Sequence, residues 1–133
     1  MTDNPLMEKD VKYWVDLSVY DLRTAGAMLK TGRYVYVLFM CQQAVEKLLK
    51  ALVVKRTRSF PPKTHDLERL ATICNLAPTP EQSELLRGLT AYYIETRYPE
   101  DARKIARETG REKSRSYLRR TREIMIWLRK ELL

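Results

Sequence analysis

The chain has 133 residues, 44% of them hydrophobic and 32% charged, with four Gly, six Pro, two Cys and a net charge of +8. That length suits one domain with a core that needs no disulfide or metal staples. The scarcity of turn residues speaks against a fold of many short strands. No apolar run approaches the ~20 residues that cross a bilayer, and Met1-Thr2-Asp3-Asn4-Pro5 lacks the basic-then-apolar start of a secretory signal. The expected location is therefore cytoplasmic, with no membrane partner.

The charge is unevenly placed. From Arg97 onward there are twelve Lys/Arg against six Asp/Glu, and before it thirteen against eleven. A basic last third points to an anionic partner: a nucleotide, an acidic protein face or, less favoured, RNA. Cys41 and Cys74 are far apart and there is one histidine, so no metal site and no cofactor is expected. Cys41 falls on an apolar helix face and reads as a reduced, buried thiol.

Periodicity predicts a first helix over about 8–31, with Val11, Trp14, Ser18, Leu22, Ala25 and Leu29 on one stripe. Gly32 should end it, because glycine enters the left-handed region without a Cβ penalty. A second helix is predicted over about 34–55. Leu38, Cys41, Val45, Leu48 and Leu52 repeat at three and four, and Phe39, Met40, Ala44, Leu49, Ala51 and Val53 make most of its surface apolar. Such a helix belongs at the centre of a bundle. Its exception is a polar band of Gln43, Glu46, Lys47 and Lys50, opposite the stripe. The band reads either as a solvated face with i,i+4 pairs such as Glu46–Lys50, or as the lining of a cleft or interface that also covers Phe39, Val53 and Val54.

Pro61-Pro62 mark a loop over 56–63. Thr64 is the expected cap of a short third helix over about 65–75, with Asp66 near its positive end. Lys63 and the backbone there suit a phosphate; simple capping explains the same residues. Thr79-Pro80-Glu81 should open a fourth helix that stops before Pro99. At its end, Tyr93 and Tyr98 bracket Arg97. The rings either stack on a base while Arg97 grips phosphate, or fill the core while Arg97 caps carbonyls or pairs with Glu46. Residues 101–110 are ambiguous. A fifth helix is predicted over about 111–132, with Tyr117, Thr121, Ile124 and Leu128 inward and Arg115, Arg119, Arg122 and Arg129 opposite. These arginines form a solubilising face or a track for phosphates. The fold class is thus all-α, a five-helix up-and-down antiparallel bundle over 8–132.

Enzyme templates are absent: the chain has no Gly-rich phosphate loop, no nucleophile elbow and no carboxylate cluster. His65 suits general-base work only if a neighbour orients it, and the sequence shows no such neighbour.

Five strings in order carry a family likeness: the Trp14 helix, Gly32-Arg33-Tyr34, Gln42-Gln43-Ala44-Val45-Glu46-Lys47-Leu48-Leu49-Lys50, Lys63-Thr64-His65-Asp66-Leu67, and Thr96-Arg97-Tyr98-Pro99. Together they resemble the HEPN family (higher eukaryotes and prokaryotes nucleotide-binding), in its nucleotide-binding branch. The resemblance implies a helical bundle that dimerises or pairs with a small nucleotidyltransferase, as in toxin–antitoxin modules. Other family members are metal-independent ribonucleases marked by Arg, four to six residues, then His, on the last long helix. No histidine follows His65 here, and Arg58-x6-His65 matches the spacing in the wrong place. The expectation is a binding module rather than an enzyme. Its nucleotide or phosphate site is expected at Lys47, Lys50, Lys63, His65, Tyr93, Arg97 and Tyr98, and its interface at Phe39, Gln43 and Glu46. His65, Arg58 and Arg97 are the weak catalytic candidates, and an RNA endonuclease and a purely structural dimerisation module are the alternatives.

Overall fold

The computed structural model describes residues 5–95 and 97–133; of the strings above, Thr96 and the opening residues 1–4 lie outside them. The described residues form six helices: α1 (Pro5–Lys30), α2 (Tyr34–Thr57), α3 (Leu67–Ile73), α4 (Pro80–Glu95), α5 (Pro99–Glu108) and α6 (Arg111–Glu131). The all-helical expectation holds and the count of five does not. The extra helix is α5, in the stretch whose sequence is ambiguous. It has Tyr98 as N-cap, Pro99 in its first positions, and Glu100 and Asp101 in its first turn. These are good start signals. What conceals the helix is its brevity: its apolar stripe, Ala102, Ile105 and Ala106, spans little more than one turn and buries only Ile105, too short a pattern to tell from a polar loop.

α2 is the axis of the fold, touching α1, α3, α4, α5 and α6. The core gathers around it, with Leu48, Leu49 and Leu52 fully buried among Leu67, Leu70, Leu86, Leu89, Leu118 and Leu128. Thr121, Ile124 and Leu128 bury the predicted face of α6, with Tyr117 half-buried beside them. Along α1, Ser18 and Ala25 are buried, while Val11, Trp14, Leu22 and Leu29 are half-buried. α1 packs mainly on α2 and only lightly on α6, so part of its apolar stripe stays at the rim.

The connections follow local chemistry. Gly32 takes φ +75. Arg33 N–H then reaches Met28 O (2.8 Å) and Gly32 N–H reaches Leu29 O (3.2 Å), which satisfies two carbonyls at the end of α1. Gly32→Ala forces a Cβ into the left-handed region and should cost about 1 kcal/mol, seen as a fall of a few degrees in melting temperature by circular dichroism. α4 opens as expected, and its Thr79 cap is reciprocal: Gln82 N–H donates to Thr79 Oγ1 (3.1 Å) and Thr79 N–H to Gln82 Oε1 (2.9 Å), a capping box. The start of α3 is corrected. Asp66, not Thr64, is its N-cap, accepting from the amides of Glu68 (3.1 Å) and Arg69 (3.3 Å). Thr64 instead accepts from Asp66 N–H at 3.2 Å. A carboxylate at a helix start is favoured by the dipole as well as by the hydrogen bonds, so Asp66 wins the position.

Candidate functional site

The polar band of α2 is not a solvated face. Gln42, Glu46 and Lys50 are buried, and Gln43 and Lys47 are half-buried. Val53 and Val54 are covered by the chain's own core, so they need no partner surface; Phe39 stays half-buried. The reason is topological: on a helix surrounded by five others, the polar stripe also faces neighbours, and each polar group must find a partner there.

Glu46 is the centre. Its carboxylate takes three donors: Gln42 Nε2 at 3.0 Å and Lys50 Nζ at 2.9 Å, each one helical turn away, and His65 Nδ1 at 2.7 Å from the loop before α3. Gln42 Nε2 also donates to the His65 backbone carbonyl at 3.1 Å. This fixes the position of that loop as well as of the ring. Gln43 in turn donates to Gln42 Oε1 at 2.7 Å. Burial raises the Glu46 carboxyl, but hydrogen bonds from Gln42, Lys50 and His65 and the charge of Lys50 outweigh it and hold the group below the ordinary carboxylate range. Glu46 is therefore ionised at neutral pH.

That charge state sets the histidine. A carboxylate only accepts, so Nδ1 of His65 carries the proton. The other nitrogen, Nε2, lies 3.3 Å from the Tyr93 hydroxyl; it accepts from that hydroxyl in the neutral ring and is a donor in the protonated one. Glu46, His65 and Tyr93 thus form one hydrogen-bonded chain from the core to the surface, with the His65 side chain 44% exposed. The orienting neighbour that the sequence did not show is Glu46, nineteen residues away.

Tyr93 collects the remaining groups. Its ring stacks on Phe39 (5.4 Å between centroids, 20° between planes) and lies 4.5 Å from the His65 ring. The Arg97 guanidinium sits 5.8 Å from the ring centre, at a distance typical of cation–π contact. Arg97 is exposed and does not take the Glu46 pairing considered above, since Lys50 and His65 occupy that carboxylate.

Two expected phosphate ligands are committed elsewhere. Lys50 pairs with Glu46 and packs under Trp14 at 5.6 Å. Lys47 forms an ion pair with the buried carboxylate of Asp21 on α1. Lys63 and Tyr98 are exposed on the flanking loops, and Arg58 ends α2 in the left-handed conformation at φ 58. The structure thus brings Phe39, Gln43, Glu46, Lys50, His65, Tyr93 and Arg97 together and leaves Lys63, Tyr98 and Arg58 at the margins.

Sequence reasoning missed Gln42, Asp21 and the packing of Trp14 on Lys50. Gln42–Glu46–Lys50 is a ladder of i,i+4 steps, and Asp21 interrupts the stripe of Ser18, Leu22 and Ala25. Both signals were readable. Burial pushes Cys41 up to about 12 and Cys74 up to about 11, so neither thiol is a nucleophile at neutral pH.

A pH dependence follows from Glu46. Its folded pKa is lowered, so its stabilisation is present above the unfolded pKa and is lost as pH falls through the folded value. The difference in melting temperature between wild type and Glu46→Gln should be constant above about pH 5 and shrink steadily below about pH 4.5, the ordinary value. Scanning calorimetry from pH 7 to pH 3 checks this. A difference independent of pH would mean that the carboxylate is not ionised in the fold.

A family model described as HEPN domain matches residues 11–132. The crystal structure of TT1696 from Thermus thermophilus superposes with a TM-score of 0.76 at 25% sequence identity, covering 91% of this chain and 97% of that one. No curated protein matches the chain.

Proposed function

The chain belongs to the HEPN domain family, and from that premise we propose that it is a binding module for a phosphate-bearing ligand, a nucleotide, held over Tyr93. One observation carries the proposal: an imidazole and a guanidinium, those of His65 and Arg97, flank the same half-exposed aromatic ring. Arg97 supplies a fixed positive charge and a fork of donors that suits phosphate. The Nε2 edge of His65 reaches the surface, held by a buried carboxylate. Tyr93, backed by Phe39, holds the imidazole and the guanidinium side by side, and Tyr98, 61% exposed at the rim beside Lys63, offers a face on which a base can stack. Lys47 and Lys50 act from behind, positioning the site through Asp21 and Glu46 rather than touching phosphate. Family membership supports the quaternary part of the proposal. The module works as a homodimer or as the partner of a small nucleotidyltransferase subunit, in a toxin–antitoxin-like pair.

Calorimetry of the purified protein with ATP and with GTP, at low and moderate salt, tests the binding claim. Micromolar binding, about −8 kcal/mol, that survives moderate salt is expected of a formed site. Absence of binding, or a steep loss with salt, would leave only a diffuse basic field and overturn the proposal.

A second reading is favoured by one feature, the orientation of His65 by Glu46. An oriented, half-exposed imidazole is what a metal-independent RNA endonuclease needs as a general base, with Arg97 beside the scissile phosphate. It predicts cleavage of RNA in the presence of chelator that His65→Ala abolishes. Intact RNA at high protein concentration would exclude it.

A further inference from the structure

The seam between α1 and α6 carries a surface that the His65–Tyr93 site does not use. A groove of about 590 Å³ runs along it, floored by Leu22, Met125 and Ile126 and walled by Arg122, Arg129 and Lys130. The floor is open, with Ile126 61% exposed. Arg122 also lines an adjoining groove of about 470 Å³ with Arg115, Arg119 and Glu112, so the apolar floor continues into a stretch with three arginines to one carboxylate. Among the described residues, Arg122, Arg129 and Lys130 have no ion pair, and Arg115 and Arg119 have only loose contacts of 3.8 and 3.7 Å to exposed carboxylates. Arg122, Arg129 and Lys130 are thus exposed without a close counter-charge among the described residues.

We propose that this seam docks an acidic amphipathic helix of a partner protein. The open floor needs cover, since exposed apolar surface of this kind marks interaction sites. A groove between two helices suits a third helix with anchors at i, i+3, i+4 and i+7. The walls then dictate the flanks: among the described residues every charged side chain lining the apolar groove is basic, so the complementary helix carries Asp and Glu beside its anchors. A second copy of the chain is the poorer fit, because a symmetric contact would bring two sets of Arg122, Arg129 and Lys130 into one interface between molecules that are each +8. RNA is poorer too. Its phosphates would meet the walls, but among the described residues no aromatic ring lines the groove for a base to stack on.

The probe is a fluorescein-labelled helical peptide with Leu at the four anchor positions and Glu on both flanks, read by anisotropy on the full chain at low salt. Its control is the same peptide with Lys in place of Glu. The acidic peptide should bind at least about tenfold tighter than the basic one, and its affinity should fall as salt rises. Ile126→Asp, an exposed position that should not affect folding, should cut binding about tenfold or more. Arg122→Glu/Arg129→Glu should reverse the preference between the two peptides. Failure of both peptides to bind would overturn the proposal, as would equal binding of the two. So would displacement of the acidic peptide by single-stranded RNA at comparable concentration, or conversion of a dimer to a monomer by Ile126→Asp in light scattering.

Discussion

Glu46→Ala should lower the melting temperature by roughly 10 °C. The side chain is 5% exposed and that of its partner Lys50 11%, so the substitution leaves an ammonium in the core without its counter-charge. Breaking a buried pair from one side costs about 3–5 kcal/mol, and for a chain of this length 1 kcal/mol corresponds to roughly 3 °C. Gln42 and His65 lose an acceptor in the same step, and the loop before α3 loses its anchor to α2. The cost lies chiefly in the stranded charge, and a double variant shows it: Glu46→Leu/Lys50→Met replaces the pair by apolar groups and should recover at least half of the lost stability. Thermal unfolding followed at 222 nm measures both. A Glu46→Ala protein within about 2 °C of wild type would mean that water, not Lys50 and His65, satisfies the carboxylate.

His65→Ala/Arg97→Ala should lower ATP affinity about a hundredfold in calorimetry. Arg97 gives a charged donor to phosphate and the His65 ring, protonated at Nε2 when the ligand is bound, gives a second, each worth about 1.5–3 kcal/mol. Both side chains are at the surface, so the variant should stay folded and lose far less stability than Glu46→Ala. The site and the scaffold are thus separable: Glu46 governs melting, whereas Arg97 governs binding. Unchanged affinity in the double variant would move the ligand elsewhere.

Much of this is legible in the sequence, and the parts that are not have physical causes. The stripe of Leu38, Val45 and Leu52 marks α2 as the centre of the fold, and the chain's other helices do pack around it. Gly32 and Thr79 end and open helices where their chemistry says they should. The polar band is visible in the sequence, but its environment is the reverse of a solvated face. Helical spacing tells which residues share a face, not what lies opposite. The partners of Glu46 and Lys47 are His65 and Asp21, nineteen and twenty-six residues away, and only the packed fold brings them near. For the same reason His65 reads as a base without an orienter, although Glu46 stands in the polar band. α5 escapes because its stripe, Ala102, Ile105 and Ala106, is little more than one turn long and two of its three side chains are alanines.

The central claim, a ligand seated over His65 and Tyr93, has a direct probe in proton NMR. His65 is the chain's single histidine, so its ring signals need no assignment by mutation. Titrating ATP at moderate salt should move both His65 ring resonances, and those of Tyr93, saturably and with one dissociation constant that agrees with calorimetry. His65 signals that stay fixed while calorimetry or the α6 arginine resonances report binding would contradict the account and place the nucleotide on the basic face of α6.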